Sequence, residues 1–243
     1  MHRFFVTPEA IAGGRLTLAG DQARQVARVL RLAPGDRITV LDNSGQEYVV
    51  ELTAVRPDAA QGRVVTVTPA PTEPALHLTL YQALLKADKF EWVLQKGTEV
   101  GISAFVPVWA ERSILPLEAA EKKLGRWTAV LQEAAEQAHR ARLPVLGDPI
   151  PLRQAFHDRA LPVLLPWEGE QCRGLRTALE ALGPVERLGL VIGPEGGFAE
   201  REVEAAVAAG ALPVSLGPRI LRAETAGLVA AAAILYHYGQ WGG

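Results

Sequence analysis

The stretch LGLVIGPEGGFAEREVEAA, residues 188–206, joins a short apolar run to a cluster of glycines and then to acidic residues that favour helix. An apolar run of this length, ended by glycine and proline, is typical of a strand that is buried on both faces of a sheet. A helical segment directly after such a strand indicates a βαβ unit. This stretch therefore predicts a parallel sheet covered by helices.

The same alternation extends through the chain after residue 75. Five apolar runs are predicted strands: residues 76–84, 103–109, 161–166, 188–193 and 212–217. Segments of helical character lie between or after them: residues 88–100, 118–140, 172–182, 199–210 and 224–238. Strands that alternate with helices of this length predict an α/β domain.

A proline-rich segment, TPAPTEPA at residues 68–75, divides the chain. Neither a helix interior nor a central strand tolerates so many prolines, so we interpret the segment as a semi-rigid linker. Before it lie three β-rich runs separated by polar turns: residues 36–42, 46–55 and 62–68. These runs predict a small antiparallel barrel or sheet. We therefore predict two domains, at residues 1–70 and 75–243.

The first domain also contains a predicted amphipathic helix, GDQARQVARVLRLAPGD, which begins at Asp21 and ends at Pro34. Its apolar side is expected to carry Ala23, Val26, Val29 and Leu30. Its other side is expected to carry an arginine stripe of Arg24, Arg28 and Arg31. Guanidinium groups suit phosphate oxygens, so the stripe favours contact with an RNA backbone. A solvated helix face explains the same pattern, and the stripe alone leaves both interpretations open.

Composition excludes several classes of protein. The chain has 243 residues, of which 49% are hydrophobic, and this predicts a folded protein with a sizeable core. Its net charge of −2 is too low for nucleic-acid binding by bulk charge, so such binding requires local patches. Cys172 is the only cysteine, and no cysteine or histidine pair has zinc-site spacing, so we expect neither a disulfide nor a metal. No apolar run is long enough to cross a bilayer, so we expect a cytoplasmic protein.

Three successive predicted strands in the second domain end in unusual loops. The loops are PWEGE at residues 166–170, GPEGG at 193–197 and GPRILRAET at 217–225. Glycines allow a ligand to approach the backbone closely, and ligands of parallel sheets bind beyond the carboxyl ends of the strands. Pro194 removes an amide that a phosphate site needs, and Glu195 repels phosphate, so a neutral or cationic ligand is favoured. One such loop alone is equally well explained as a tight turn.

The residues of these loops carry a resemblance to a known family. VIGPEGGFAEREVEAA followed by SLGPRILRAETAGLVAAAAI resembles the cofactor-binding signature of the SPOUT methyltransferases, specifically the 16S ribosomal RNA uridine-N3-methyltransferase family. Three earlier segments are also similar to that family: RVLRLAPGD, LLKADKFEWVLQKGTEVGISAFVPV and EAAEQAHRARLP. The resemblance therefore covers nearly the whole chain.

The resemblance implies a fold, a cofactor and an assembly. It implies a small β-barrel PUA-like domain that binds RNA, followed by an α/β SPOUT domain with a parallel sheet and a deep trefoil knot. It also implies S-adenosylmethionine as cofactor, a homodimer, and ribosomal RNA or the small ribosomal subunit as partner. The last predicted helix, residues 224–238, is apolar almost all round, and we favour contact with a second subunit over burial in the core.

The same resemblance implies a cofactor pocket built from the three loops. The adenine is expected against Leu216, Ile220 and Leu221, with glycines that let the chain pass close. Leu165, Pro166 and Glu168 are expected to close the third side, and Glu195 suits a sulfonium. The remaining members are Gly193, Gly196, Gly217, Arg222 and Thr225.

Methylation of a uracil N3 requires that its proton leave and that the resulting anion be stabilised. Arg219 and Arg222 beside the cofactor are candidate catalytic residues. Glu133 and Arg140, with Gln137, are predicted on one polar strip of helix 118–140 and form a second catalytic set, although an ordinary surface network explains them equally well. Further candidates for contact with RNA are Lys86, Lys96 and Arg112.

Rival functions come from other classes. A non-catalytic RNA-binding protein would keep the arginine stripe but has no use for three converging loops. A SPOUT methyltransferase that acts on transfer RNA or on a ribose 2'-hydroxyl is the second alternative. An enzyme that acts on nucleotide phosphates is the least favoured because of Pro194 and Glu195. The scattered histidines offer no partner for a hydrolase triad.

Overall fold

The computed structural model describes residues 1–86 and 88–241, and the predicted second domain includes Ala87, Gly242 and Gly243, which lie outside them. The chain divides into two compact units. The first contains Met1–Glu73 together with Ala135–Leu143, which we call the return segment. The second contains Pro74–Ala134 and the chain after Leu143. The prediction of a single break in the chain did not include the return segment.

The first unit is built on a six-stranded sheet. Its strands are β1 (Arg3–Phe5), β2 (Ile11–Ala12), β3 (Arg15–Ala19), β4 (Arg37–Leu41), β5 (Gln46–Val55) and β6 (Ala59–Pro69). They lie in the order β1-β4-β5-β6-β3-β2. All neighbours are antiparallel except β1 and β4, which are parallel. The three predicted strands correspond to β4, β5 and β6, but β6 continues to Pro69, so the linker begins later than residue 68.

One face of this sheet forms the core of the first unit. Along β3 the exposed and buried residues alternate, and Leu16 and Leu18 are buried. Ile38 and Val40 of β4 and Val50 of β5 pack in the same cluster. This alternation is the period-two pattern that a half-buried strand requires.

The predicted amphipathic helix at residues 20–36 is wrong in its length and in which residues share a face. A short helix, α1 (Gly20–Arg24), continues into a π-helical turn at Gln25–Val29. Leu30 donates its amide to the carbonyl of Gln25, a wider turn than that of an α-helix. Val29 is therefore 74% exposed instead of buried. Arg31 lies beyond the helix with a φ of 54°, so the arginines do not share one helical face.

The carboxylate of Glu73 binds the return segment at several points. Glu73 accepts a 2.6 Å hydrogen bond from Nη2 of Arg140 and bonds from the backbone amides of Ala141 and Arg142. Ala135 and Ala141 pack in a buried cluster with β1 and β4. Buried charges are stable in proteins when they are paired in this way.

The second unit is a seven-stranded sheet with helices on both faces. Its strands are β7 (His77–Ala83), β8 (Ala104–Trp109), β9 (Val145–Leu146), β10 (Ile150–Pro151), β11 (Val163–Pro166), β12 (Arg187–Ile192) and β13 (Leu212–Val214). Six follow the order β10-β8-β7-β12-β11-β13, and β9 pairs with β8. Every pairing is parallel, which confirms the predicted α/β class. Sequence periodicity missed the two-residue strands β9 and β10.

The helices of the second unit correspond closely to the predicted ones, with one exception. They are α2 (Lys89–Val100), α3 (Leu117–Glu121), α4 (Leu124–Gln137), α5 (Leu175–Leu182), α6 (Glu200–Ala208) and α7 (Ala223–His237). The exception is the predicted helix 118–140, which is two helices, α3 and α4. Because α4 ends at Gln137 and His139 has a φ of 58°, Arg140 does not continue the polar strip of Glu133.

Successive strand residues point to opposite faces, so the sheet has a core on each side. Leu190 packs in the larger core, which includes residues of α2 and α7, whereas Val191 packs in the smaller core with Val203 of α6. In β11 the same division separates Leu164 from Leu165. This two-sided burial explains the continuous apolar runs in the sequence.

The strand order brings three carboxyl ends together. β11 lies between β12 and β13, with Leu164 paired to both Leu190 and Leu212. The chain thus passes from the central strand to one neighbour and then to the other. The loops that follow these strands meet at one edge of the sheet, where ligands of such folds bind.

Candidate functional site: a cleft at the carboxyl edge of the parallel sheet

Two cavities lie side by side at this edge, with volumes of about 650 Å³ and about 520 Å³. The larger is lined by the loops that follow β11 and β13, and the smaller by residues of all three loops that follow β11, β12 and β13. They share five lining residues: Pro166, Glu168, Ile220, Leu221 and Ala226. We treat them as one site, the carboxyl-edge cleft. Its size suits a small-molecule ligand of nucleoside dimensions.

The loop after β12 is a tight turn that side chains would obstruct. Gly197 donates its amide to the carbonyl of Pro194 at 2.9 Å. It has a φ of 67°, and a Cβ at this position would lie 2.8 Å from Oε1 of Glu168. A Cβ on Gly193 would lie 3.1 Å from the ring of Phe198. The positive φ therefore favours glycine at residue 197, and a larger side chain would also displace the carboxylate of Glu168.

The loop after β13 offers backbone groups to a ligand. It turns at Gly217, which has a φ of 101°, and Ile220 is 84% exposed at its tip. Over the part of the chain that the structure describes, the backbone amides of Ile220 and Leu221 donate to no protein acceptor. Such amides, next to an apolar wall, suit a planar heterocycle.

A charged cluster lines the second cavity. Nζ of Lys89 lies 3.3 Å from Oε1 of Glu195 and 3.5 Å from Oε1 of Glu224. Oε2 of Glu224 is buried and, among residues 1–86 and 88–241, has no hydrogen-bond partner. Lys89 and Arg222 thus bring two positive charges to this cavity, whereas Glu168, Glu195 and Glu224 bring three negative charges. This balance favours a ligand that carries positive charge.

Two further contacts hold the loops in place. Nη1 of Arg112 donates to the carbonyl of Gly196 at 2.9 Å. Glu170, in the loop after β11, accepts bonds from the backbone amides of Arg173 and Cys172. These two amides hold the pKa of the Glu170 carboxyl below its usual value. Both contacts rigidify the turns without occupying the cleft.

Most of the predicted cofactor residues lie in the cleft. Those that line it are Pro166, Glu168, Gly193, Glu195, Gly196, Leu216, Gly217, Ile220, Leu221 and Arg222. Two predicted members do not line it. Leu165 is 1% exposed in the smaller core of the sheet, and Thr225 is the third residue of α7.

The predicted catalytic residues fall into two groups. Arg219 and Arg222 are exposed and line the cleft, one in each cavity. Glu133 is exposed on α4. Arg140 is 5% exposed and bound to Glu73 in the first unit. Only the first group lies with the cofactor residues, and the ion pair gives Arg140 a structural role.

The predicted RNA contacts are dispersed over both units. In the first unit Arg28 and Arg31 are exposed, and Arg24 is paired with Asp21 at 2.9 Å. In the second unit Lys86 is exposed, whereas Lys96 is paired with Glu99 at 2.7 Å. Arg112 is exposed and donates to the carbonyl of Gly196 in the loop after β12, but it does not line the cleft.

Among the residues of the cleft that sequence reasoning did not assign to the site are Trp167, Lys89 and Glu224. Trp167 and Glu224 lie inside the quoted loops, so proximity to the glycines was an available signal. Lys89 begins α2, far from the loops in sequence, and only the pairing of β7 with β12 brings it near. No local pattern indicates that contact.

In the described chain, no group of three or more histidine, cysteine, aspartate or glutamate residues is arranged to hold a metal ion. Nor is any described helix both long and apolar enough to span a membrane.

The fold and the cleft define an α/β protein with a small-molecule site at the edge of a parallel sheet, joined to a small β unit. Comparison with known proteins gives the family. A model of the RNA methyltransferase domain matches residues 72–235, and a model of the RNA methyltransferase PUA domain matches residues 18–65. The chain belongs to this RNA methyltransferase family.

Similar proteins carry one recurring name. The chain is 34% identical to ribosomal RNA small subunit methyltransferase E of Bacillus subtilis (strain 168), covering 97% of this chain and 96% of that protein. It is 36% identical to the enzyme of the same name from Synechocystis, covering 96% and 77%. The crystal structure of such an enzyme from Neisseria gonorrhoeae, bound to S-adenosyl methionine, is similar with a TM-score of 0.87 and 32% identity, covering 99% and 98% of the two chains.

Proposed function

We propose that this protein uses S-adenosylmethionine to methylate N3 of a uridine in small-subunit ribosomal RNA, 16S in bacteria. The observation that carries the proposal is the convergence of three glycine-containing loops on one cleft in a chain of the RNA methyltransferase family. The relatives named above are small-subunit ribosomal RNA enzymes, and one was crystallised with the cofactor. An enzyme with this substrate works in the cytoplasm, where ribosomes are assembled.

The cleft fits S-adenosylmethionine better than a nucleotide phosphate. Its loop after β12 contains Pro194, which lacks an amide donor, and Glu195, whose carboxylate faces Lys89. Together with Glu168 and Glu224, these groups favour a cation and disfavour an anion. The amides of Ile220 and Leu221, beside Trp167, would hold the adenine, and the charged cavity would hold the methionine end.

The cofactor supplies a methyl group bonded to a positively charged sulfur. The protein must then make uracil N3 nucleophilic, which requires that the N3 proton leave for solvent and that the negative charge left on the ring be stabilised. Arg222 and Arg219 are the exposed cations of the cleft, and their guanidinium groups would donate to the uracil oxygens. Neither makes an ion pair within the described residues, so both are available to the substrate.

Two architectural features accompany this proposal. The first is the deep trefoil knot of the SPOUT fold. Its support is the order β12-β11-β13, in which the chain crosses over the central strand before it enters α7. The second is a homodimer. Its support is the outward face of α7, where Val229 is 47% exposed and Tyr236 is 72% exposed, because apolar groups at a helix surface favour association.

The RNA contacts complete the proposal. The exposed guanidinium groups of Arg28 and Arg31, with Arg24, would bind phosphates from the PUA-like unit. In the methyltransferase unit the exposed ammonium of Lys86 would do the same, with Lys96 and Arg112 as further contacts. These groups supply the local positive charge that the overall charge of −2 does not.

The test is a transfer reaction followed by nucleoside mapping. The protein is incubated with isotopically labelled S-adenosylmethionine and either protein-free small-subunit RNA or assembled subunits from cells that lack the gene. The expected product is N3-methyluridine at a single site. A 2'-O-methyl product or modified transfer RNA would support the alternative methyltransferases, and RNA binding without any transfer would support a non-catalytic protein.

A further inference from the structure

A groove on the second unit is not used by the proposed reaction. It has a volume of about 450 Å³ and lies between α6 and the short helical turn at Leu152–Phe156. Its floor and walls are apolar and include Leu152, Phe156 and Ala205. Trp109, the last residue of β8, stands at its side and is 40% exposed. We call it the Trp109 groove.

The side chains of the groove suit a flat aromatic ligand. An indole that is partly exposed beside small apolar residues offers one flat hydrophobic face to a ligand. Single-stranded nucleic acids are bound on such faces, because every base has a face that stacks on an aromatic side chain. Ala205 and Ala206 of α6 also line the groove, and their small side chains leave room for a ring.

The unpaired charge of the groove is positive. Arg153 is exposed and makes no ion pair within the described chain. Arg201, at the other rim, is paired with Glu111 at 2.7 Å. The carboxylate of Glu202 accepts bonds from the backbone amides of Glu111 and Ala199, so it is already satisfied. The groove therefore combines an apolar slot with one available guanidinium, which matches a base and its phosphate.

The groove lies close to the carboxyl-edge cleft. Trp109 and Arg112 are three residues apart, which limits the distance between their Cα atoms to about 11 Å. Arg112 contacts Gly196 in the loop after β12, and that loop lines the cleft. A strand of RNA with one nucleotide in the cleft thus reaches the groove within a few nucleotides.

We propose that the Trp109 groove binds an unstacked base that flanks the target uridine, with Arg153 on its phosphate. This inference rests on the proposed function, since it requires an RNA substrate whose target nucleotide enters the cleft. It makes Trp109 a determinant of RNA affinity and of the choice of site, without a part in methyl transfer. Enzymes that turn a base out of its stack commonly hold neighbouring nucleotides in this way.

The test measures the affinity of the full-length protein for target RNA and for S-adenosylmethionine separately. Trp109→Ala is expected to weaken RNA binding roughly five- to 100-fold, the range that loss of one base–aromatic stack produces. Trp109→Phe keeps a stacking face and should retain most of the affinity. Arg153→Gln should lower the slope of log affinity against log salt by about one phosphate contact. Cofactor affinity should be unchanged in all three.

Trp92→Ala is the matched control, because Trp92 is 42% exposed on α2 and lies outside both the groove and the cleft. Unchanged RNA affinity in Trp109→Ala would overturn the inference. So would a loss seen with assembled subunits but not with protein-free RNA, because the groove would then bind a protein. If the wild-type protein transfers no methyl group to uridine, the proposed function fails independently of the groove.

Discussion

Arg140 and Arg222 were equal candidates for catalysis in the sequence, and the structure gives them opposite surroundings. Arg140 has a side chain that is 6% exposed and a 2.6 Å contact with Glu73. Arg222 is exposed at the start of α7 and lines the cleft. The difference shows that a buried guanidinium paired with a carboxylate holds the fold, whereas one left exposed at a ligand cavity is available for chemistry.

The largest expected effect is on stability at Arg140. Arg140→Ala leaves the carboxylate of Glu73 without its charged partner. Breaking a fully buried pair costs about 3–5 kcal/mol, and because the Glu73 side chain is 21% exposed, the cost here should be about 2–3 kcal/mol. The free energy of unfolding, measured by chemical denaturation, should fall by this amount, while the affinity for S-adenosylmethionine stays unchanged.

The control for that effect is an exposed pair of similar length. Arg126 lies 2.7 Å from Glu91, but its side chain is 69% exposed. Arg126→Ala should leave the free energy of unfolding nearly unchanged, because solvent screens an exposed ion pair. Equal losses in the two variants would contradict a structural role specific to Arg140.

Arg222 should show the reverse pattern. Arg222→Ala is expected to lower kcat by roughly 100- to 1,000-fold, as removal of one donor to a developing anion does. The free energy of unfolding should change by less than about 0.5 kcal/mol, because the side chain is exposed. Arg176→Ala, at an exposed residue of α5, controls for loss of charge. An Arg222 variant that is destabilised but has a normal kcat would contradict a catalytic role and indicate a structural one.

A smaller effect is expected at the glycine of the turn after β12. Gly197→Ala places a methyl group against Glu168 at a positive φ, which should destabilise the turn by about 1–2 kcal/mol and weaken cofactor binding. Gly125→Ala provides the contrast, because this helical residue of α4 has open space around it. It should stabilise the protein by about 0.4–1 kcal/mol. Titration calorimetry and thermal unfolding measure both results.

The smallest effect is expected on RNA affinity in the first unit. Arg28→Gln removes one exposed charge and should reduce the salt dependence of RNA binding by about one phosphate contact, without any change in cofactor affinity. Since Arg24 is already paired with Asp21, Arg24→Gln should have less effect than Arg28→Gln. An identical salt slope in all three proteins would show that this surface does not contact RNA.

The contrast between the two arginines also shows what sequence can predict. The five main strands and most helices of the second unit were predictable, because two-sided burial leaves continuous apolar runs and glycine ends them. The cleft followed, since the carboxyl ends of parallel strands share an edge. The structural role of Arg140 was not predictable from the sequence. Its partner Glu73 is 67 residues away, and no local sequence pattern indicates that α4 ends at Gln137.

Other misses have the same physical origin. The π-helical turn at Gln25–Val29 changes the phase of the first helix, and a period of 3.6 residues does not anticipate it. Lys89 reaches Glu195 only because β7 pairs with β12. Local periodicity predicts the helices and strands. Contacts between segments that are distant in sequence determine which charged side chains form ion pairs and which remain available to a ligand.

The most direct measurement is a crystal structure of the protein grown with S-adenosylmethionine. The account predicts the adenine beside Leu216 and Leu221 and the sulfonium between the turn at residues 193–197 and Glu168, with Arg222 facing open space for the uracil. A cofactor bound in the Trp109 groove, or a cleft that stays empty at saturating cofactor, would contradict it.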